Sequence, residues 1–295
     1  LQGNYSDNLT GVKEILVSLD NIDFNQASFA NGNWNYNITF PNENNYSIYF
    51  KAVDYANNIS DLQDINVSTD ITKPVTSIDY NLEWKITNIS INFNCTDNLT
   101  NCSETKYRID SNEWIIGNQV DFTSDGNYLL EFYSTDYAGN QEDVNAIYVL
   151  LDKTKPETND DYDAFWKTSD FNAILNASDL TSGIANTYYQ INGSGFIAGT
   201  DINFNFDGNY LLEYLSIDIA GNTEETKSKY ILLDKTKPST TDDLNAEWQT
   251  NDFNITLTPN DATSDINKTY YKIDAGAFVE GTQIEINSDG NKTIE

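Results

Sequence analysis

The residue types in this chain that could carry chemistry are carboxylates, asparagine amides and two cysteines. Acidic residues number 46 against 16 basic residues, histidine is absent, and the formal net charge is −30. Histidine is the commonest general base, so the sequence offers no nucleophile–base pair of the usual kind. Paired carboxylates occur throughout so acidic a chain and mark no single site. We therefore expect no enzymatic activity, no catalytic residues and no organic cofactor.

The negative charge also restricts the partners that this chain can bind. Nucleic-acid backbones and anionic membranes are bound through clustered lysine or arginine, which so acidic a surface does not provide. No segment approaches the roughly 18 consecutive apolar residues that a membrane-spanning helix needs. We expect neither nucleic-acid binding nor membrane insertion within these residues.

Aspartates in predicted loops could bind calcium. Asp179, Asp218 and Asp234 recur by residue type along the chain, and Ca²⁺ takes about six to eight oxygen ligands. The alternative is that each aspartate caps a turn through its own backbone, as Asp and Asn routinely do. Because the chain lacks an Asp-x-Asp-x-Asp-Gly loop, the sequence assigns no metal ligands and leaves calcium as an open alternative.

The two cysteines, Cys95 and Cys102, are separated by six residues. Without histidine or further cysteines, this pair lacks the ligands of a metal site. A disulfide across a short loop between two strands is favoured over two buried thiols. The bond would stabilise the fold by about 2–3 kcal/mol and would indicate an oxidising compartment.

Asparagine is relevant because Asn-x-Ser/Thr is the acceptor pattern for N-glycosylation. Fifteen asparagines have this pattern: Asn4, Asn8, Asn37, Asn45, Asn58, Asn66, Asn88, Asn94, Asn98, Asn101, Asn176, Asn192, Asn254, Asn267 and Asn291. Their number favours a glycosylated, exported chain, although a β-protein rich in Asn and Thr acquires such triplets without selection. Asn98, in the loop between the cysteines, is the best single candidate.

The elements that position these residues recur with an 82-residue period. Three Thr-Lys-Pro motifs end at Pro74, Pro156 and Pro238, which are equally spaced, and tryptophan and Asp-Gly-Asn motifs recur at the same interval. A unit of this length has the size of one small domain. The predicted domains are 1–74 (divergent and N-terminally incomplete), 75–156 (with the disulfide), 157–238 and 239–295 (C-terminally incomplete). We expect these residues to be a window of a longer polypeptide.

Each repeat consists of short runs rich in β-branched and aromatic residues, separated by Gly, Asn and Asp turns such as Asn192-Gly193. This spacing predicts an antiparallel β-sandwich without helices. In one strand of the second repeat, Leu130, Phe132 and Ser134 alternate with polar or outward positions, which predicts their burial. We interpret the tryptophan of each repeat, for example Trp166, as a core residue, with carbohydrate stacking as the alternative.

The combined motifs resemble the tandem immunoglobulin-like (fibronectin-III-like) repeats of bacterial and archaeal surface proteins. In the third repeat the motifs are 179–184, 189–193, 207–210, 218–222 and 234–238. The first repeat departs from them, because it has Asn57 where the turn glycine belongs, extra residues at 27–35, and no Asp-Gly pair before Tyr46. The resemblance implies an all-β, tandem array of immunoglobulin-like antiparallel β-sandwich domains with an 82-residue period.

The resemblance also implies an extracellular or cell-surface location, without implying one common activity. We expect a structural protein, a glycosylated array that forms a surface filament, coat or stalk and whose partners are copies of itself. The alternatives are an adhesin that binds a glycan or a partner protein, and an accessory stalk of a larger secreted enzyme. The divergent first repeat is where an adhesive site would lie.

Overall fold

The computed structural model describes residues 1–245 and 247–295, and these residues form β-strands joined by turns and loops. No helix occurs among them, so none is available to cross a membrane. The prediction of an all-β, tandem β-sandwich fold is confirmed. The described residues separate into two compact units, one formed by 1–83 with 88–150 and the other by 84–87 with 151–295.

The first repeat packs a three-stranded sheet on a four-stranded sheet. Its strands are β1 (Gln2–Asn4), β2 (Val12–Ser18), β3 (Asn25–Gln26), β4 (Ser28–Ala30), β5 (Asn33–Asn35), β6 (Asn44–Asp54) and β7 (Gln63–Thr69). The strand orders are β1-β5-β4 and β3-β2-β6-β7. The residues that the sequence identified as extra form the β4–β5 hairpin, and this hairpin brings Trp34 into the core beside Val17 and Ile48.

The second and third repeats have the same architecture. The strands of the second are β8 (Val75–Ile78), β9 (Ile89–Thr96), β10 (Cys102–Ile109), β11 (Ile115–Ile116), β12 (Gln119–Phe122), β13 (Gly126–Asp136) and β14 (Asn145–Leu151). Those of the third are β15 (Glu157–Asp160), β16 (Phe171–Ser178), β17 (Ile184–Ile191), β18 (Ile197–Ala198), β19 (Asp201–Phe204), β20 (Gly208–Asp218) and β21 (Lys227–Leu233). The sheets are β12-β9-β8 with β11-β10-β13-β14, and β15-β16-β19 with β18-β17-β20-β21.

The fourth repeat contains the first part of the same pattern. Its strands are β22 (Ser239–Asp242), β23 (Phe253–Asn260), β24 (Tyr270–Tyr271), β25 (Val279–Glu280) and β26 (Gln283–Ile286). They form the sheets β22-β23-β26 and β24-β25. The ladders between these strands are antiparallel.

The predicted inward face of β13 is confirmed. Leu130 and Ser134 are fully buried and Phe132 is 3% exposed, because successive side chains of a strand point to opposite faces of the sheet. Ser134 belongs to a buried polar cluster, in which its hydroxyl contacts that of Thr76 and its amide donates to Glu142. The third repeat has the same cluster, made by Thr158, Ser216 and Glu224.

The prediction that the repeated tryptophans fill the core is wrong for Trp166 and Trp248. Trp166 is 37% exposed and Trp248 is 87% exposed. Both residues lie outside the strands, Trp166 between β15 and β16 and Trp248 between β22 and β23. In the third repeat Tyr162, 5% exposed, packs into the core instead, and its hydroxyl donates to the carbonyl of Phe165.

A tyrosine corner lies at the start of the longest strand of each of the first three repeats. The hydroxyls of Tyr46, Tyr128 and Tyr210 donate to backbone carbonyls four residues upstream, at 2.7, 2.8 and 2.9 Å. This hydrogen bond is a feature of immunoglobulin-like sandwiches. The first repeat forms it without the Asp-Gly pair, because the bond needs a carbonyl at that position and no particular side chain.

Candidate functional site

The most distinctive arrangement of functional groups consists of two clusters of three aspartates. We call them the Asp136 cluster, formed by Asp70, Asp97 and Asp136, and the Asp218 cluster, formed by Asp152, Asp179 and Asp218. In each cluster one carboxylate oxygen from every member lies within 4.8 Å of the others. Corresponding members are one 82-residue period apart, so the repeat architecture builds the same site twice.

Each member of the Asp218 cluster comes from a different part of the third repeat. Asp152 lies in the segment that leads into β15, Asp179 follows β16 directly, and Asp218 is the last residue of β20. Strand pairing brings the last two together, because Ile184 at the start of β17 pairs with Asp218. The Asp136 cluster is assembled in the same way, from the segment before β8, the end of β9 and the end of β13.

The loop after β16 holds the Asp179 carboxylate in a fixed direction. Its Oδ1 accepts hydrogen bonds from the backbone amides of Thr181, Ser182 and Gly183 at 2.9–3.0 Å. Gly183 closes this loop with a φ of 81°, a left-handed conformation that glycine adopts without strain. In the Asp136 cluster Asp97 is held by the same kind of bonds through its Oδ2.

The turn that follows β20 orients the Asp218 carboxylate. Oδ1 accepts from the amides of Gly221 and Asn222, and Oδ2 accepts from the Asn222 side-chain amide at 2.8 Å. Asp136 is held in the same way by Asn140. Burial acts to raise the pKa of Asp136, but the hydrogen bonds from Asn140 and Gly139 outweigh it and lower this pKa, so the carboxylate stays ionised.

The leading segment is bonded to the rest of its cluster. Asp152 accepts from the amide of Thr154 through Oδ1 and from the amide of Ser182 through Oδ2, both at 3.0 Å. Its backbone carbonyl accepts from the Asn222 side chain at 3.0 Å. These bonds connect the segment to both loops of the third repeat.

One carboxylate oxygen in each cluster is buried without a hydrogen-bond partner. These oxygens are Asp97 Oδ1 and Asp179 Oδ2. In the described part of the chain, they are the two buried side-chain oxygens that lack a hydrogen-bond partner. In both residues the other oxygen is occupied by backbone amides. Buried polar atoms in folded proteins nearly always have a partner, so an exception at the same position of two repeats requires an explanation.

The other two repeats contain parts of the same arrangement. Thr10 Oγ1 lies within hydrogen-bond distance of both Asp7 and Asp54, at 2.9 and 3.1 Å. Asp261 interacts with Asp234, whose side chain contributes to lowering the pKa of Asp261 after the backbone amides of Thr263 and Ser264. In the first and the fourth repeat, two carboxylates of the arrangement therefore lie close together.

From the sequence, Asp179, Asp218 and Asp234 stand out as recurring loop aspartates without being assigned to one site. In the structure Asp152 is the neighbour of Asp179 and Asp218, and Asp234 lies beside Asp261. Each Asp-Lys-Thr-Lys-Pro motif leads into the following repeat, so its aspartate contacts the loops of that repeat. The sequence does contain a signal for this grouping. Asp70, Asp97 and Asp136 lie 82 residues before Asp152, Asp179 and Asp218, respectively.

The structure contains the predicted disulfide between Cys95 and Cys102, with a Cα–Cα distance of 6.2 Å. The bond joins the end of β9 to the start of β10 and encloses the loop that carries Asp97. All fifteen predicted glycosylation asparagines are exposed. Asn58 is already engaged, because its side-chain amide donates to Asp54 at 2.8 Å.

A groove in the fourth repeat and a cavity in the first repeat differ in the residues that line them. A groove of about 640 Å³ in the fourth repeat is lined by Ile255 and Ile286, whose counterparts in the third repeat, Ala173 and Phe204, belong to its core. This groove is thus an open sandwich core. A cavity of about 220 Å³ in the first repeat is lined by polar groups and aliphatic side chains, including Asp20.

Comparison with known proteins identifies the repeats. A family profile described as a bacterial Ig-like domain matches residues 96–153, which lie in the second repeat. The sheet orders and the tyrosine corners show that the first three repeats have the Ig-like β-sandwich fold, and the family match is limited to those residues of the second repeat. Ig-like domains and disulfides are typical of extracellular proteins. A search of curated proteins returns no significant match.

Several solved structures resemble the chain at low identity. The fibronectin(III)-like modules of Clostridium thermocellum CbhA have 14% identity and a TM-score of 0.30, and the alignment covers 54% of this chain and 94% of that chain. Three N-terminal domains of the highly immunogenic outer capsid protein of bacteriophage RB49 have 12% identity and a TM-score of 0.30, covering 72% and 80%. The four N-terminal Ig domains of a Dscam1 isoform have 10% identity and a TM-score of 0.27, covering 94% and 84%.

Proposed function

We propose that this chain is a structural segment of an extracellular protein, a glycosylated array of Ig-like repeats that contributes to a cell-surface filament, coat or stalk. The observation that carries the proposal is the repetition itself. The second and third repeats have the same sheets, the same tyrosine corner and the same aspartate cluster. An adhesive site for a glycan or a partner protein would make one repeat diverge from its neighbours, whereas a scaffold favours equivalent units.

Two further observations support an exported, glycosylated scaffold. The disulfide requires an oxidising compartment to persist, and the exposure of the fifteen acceptor asparagines means that a glycan could be attached without unfolding a strand. The high acidity keeps neighbouring copies soluble, and the edge strands of each sandwich are available for ordered association.

The proposal is tested on native protein isolated from the surface of its source cells. Intact-mass analysis should give a mass above that of the bare polypeptide, with Asn98 among the modified residues. Electron microscopy and light scattering should show filaments or sheets of the native protein. A bare mass would reject glycosylation, and extended monomers alone would reject self-assembly and favour a single-stranded stalk.

Adhesion is the second candidate, and the cavity of the first repeat favours it. Ser18, Asp20, Asp23, Asn25 and Tyr36 give this cavity hydroxyl, carboxylate, amide and aromatic groups, which are the groups that proteins use to bind small polar ligands. A glycan array probed with the full chain tests this alternative. Binding that is lost in an Asn25→Ala variant would support it, and no binding on the array would leave the structural role.

A further inference from the structure

We propose that the Asp136 cluster and the Asp218 cluster each bind one Ca²⁺ ion. The ligands from the chain are one carboxylate oxygen from each of Asp70, Asp97 and Asp136 in the first site. In the second site they are oxygens of Asp152, Asp179 and Asp218. This inference goes beyond the proposed structural role and does not rest on it.

The geometry of the clusters matches one ion of this size. Ca²⁺ contacts its oxygen ligands at about 2.3–2.6 Å, so two ligands on opposite sides of the ion are about 5 Å apart. The three oxygens of each cluster lie within 4.8 Å of one another. A single ion can therefore contact all three without movement of the backbone.

The buried oxygens without partners belong to members of these two clusters. Asp179 uses Oδ1 for three backbone amides, which leaves Oδ2 as the oxygen available to a ligand. Asp97 presents its Oδ1 in the same way. A desolvated carboxylate oxygen needs a hydrogen-bond donor or a cation, and a bound cation supplies that partner in both repeats at once.

Electrostatics favours a cation for a second reason. Asp152 and Asp218 are 0% and 1% exposed, so two carboxylates of one cluster are withdrawn from water beside a third. Like charges at this separation repel strongly where water cannot screen them. The backbone amides and the Asn222 side chain fix the direction of the oxygens, as outer-shell hydrogen bonds do in metal sites, and a divalent ion offsets the remaining charge.

The ligand set selects calcium among the common divalent ions. The chain has no histidine, and its two cysteines are bonded to each other, so no nitrogen or sulfur ligand for zinc or copper is available from these residue types. Mg²⁺ requires shorter contacts of about 2.0–2.1 Å and near-octahedral geometry, and it retains most of its water. Three rigid carboxylates, completed by water and carbonyl oxygens, fit the larger and more tolerant ion.

Binding would tie the segment that leads into a repeat to that repeat. Asp152 belongs to the leading segment, whereas Asp179 lies in the loop after β16 and Asp218 ends β20 in the third repeat. The ion would add three ionic contacts to the hydrogen bonds that already hold this segment. Calcium is therefore expected to raise the resistance of the leading segments to local unfolding.

The direct test is a calcium titration of the full chain, prepared without N-glycans and stripped with a chelator. Isothermal titration calorimetry and elemental analysis should show that Asp97→Asn and Asp179→Asn each remove one bound Ca²⁺ per chain and that the double variant removes two. Asparagine keeps the acceptor for the loop amides but directs an NH₂ group into the site. The control is Asp201→Asn, which removes the same charge from an exposed position of β19 and should leave the stoichiometry unchanged.

A thermal unfolding experiment gives an independent readout. In calcium the wild type should melt several degrees higher than in chelator, and the Asp179→Asn variant should lose most of this shift. In chelator the variant should be at least as stable as the wild type, because its NH₂ group relieves the repulsion of Asp152 and Asp218. Unchanged stoichiometry in both variants, or a variant destabilised equally in calcium and in chelator, would overturn the proposal. Equal affinity for Mg²⁺ would overturn the assignment to calcium.

Discussion

At the scale of single residues, aspartate does several different tasks in this protein. It caps loops, orients turns and, at one position, forms a partly buried ion pair. Asp160 accepts hydrogen bonds from Lys229 and Tyr214, at 2.5 and 2.8 Å. The pair is particular to the third repeat, since Ile78 and Ile147 occupy the corresponding positions of the second. Single amino-acid differences therefore give repeats with the same fold different local interactions.

The pH dependence of stability should report the Asp160 interaction. Burial acts to raise the pKa of Asp160, but the hydrogen bonds from Lys229 and Tyr214 lower it below the unfolded-state value of 3.8. Its contribution to the free energy of unfolding is thus complete above the unfolded-state pKa and is lost as pH falls through the folded-state pKa. Asp160→Asn should cost about 2 kcal/mol at neutral pH and flatten this acid loss.

Denaturant unfolding at neutral pH and at a series of acidic pH values measures both effects. The matched control is Asp242→Asn, the corresponding position of the fourth repeat, where the aspartate is exposed and accepts from its neighbouring loop amide. Equal effects of the two substitutions would contradict the role assigned to Lys229.

At the scale of elements, the sandwich is stabilised by alternation along each strand and by the connections between strands. β20 presents Leu212 and Tyr214 to the core, whereas the side chains between them face outward. The loop between β9 and β10 carries an aspartate of the candidate site and is closed by the disulfide. Packing and loop geometry can therefore be tested separately.

Core packing is tested by two neighbouring leucines of β20. Leu212 is fully buried, so Leu212→Ala should reduce the free energy of unfolding of the third repeat by about 2–5 kcal/mol, through lost burial and the cavity it leaves. Leu211→Ala, on the opposite and only half-buried face, is the control and should cost much less. Similar losses measured by chemical denaturation would contradict the assignment of the inward face.

The disulfide should contribute to the second repeat alone. Replacing both cysteines by alanine removes the constraint on a short loop in the unfolded chain and should destabilise that repeat by about 2–3 kcal/mol. The measurement is thermal unfolding of the wild type and the Cys95→Ala/Cys102→Ala variant. The third repeat, which has Ala177 and Ile184 at these positions, is the internal control. A shift in its transition of the same size would argue against a local effect.

At the scale of the whole molecule, the net charge of −30 is the dominant property. Most lysine and arginine side chains form ion pairs with neighbouring carboxylates in the described residues, but far more acidic groups surround them. The folded chain concentrates this charge more than the unfolded chain does. Self-repulsion therefore opposes folding.

Monovalent salt should consequently stabilise the protein. Raising the salt concentration from about 10 mM to about 150 mM shortens the screening length from about 30 Å to about 8 Å. The melting temperature, measured in the presence of a chelator so that bound cations do not contribute, should rise by a few degrees. A fall would mean that the local ion pairs outweigh the repulsion between like charges.

The sequence by itself determined the features that depend on local pattern. The 82-residue period, the strands and turns, the inward face of β13 and the pairing of Cys95 with Cys102 could all be predicted. The physical reason is that strand alternation, turn chemistry and short loop closure act over a few residues. A repeated pattern then reports the same local preference several times.

Tertiary structure decided the features that require distant segments to meet. Asp152, Asp179 and Asp218 form one site only because strand pairing and a leading segment bring them to the same end of a repeat. The exposed position of Trp166 depends on a bend between strands, and the core place that a tryptophan could have filled is taken by Tyr162. Neither outcome follows from residue type, because burial and proximity are set by the long-range packing of two sheets.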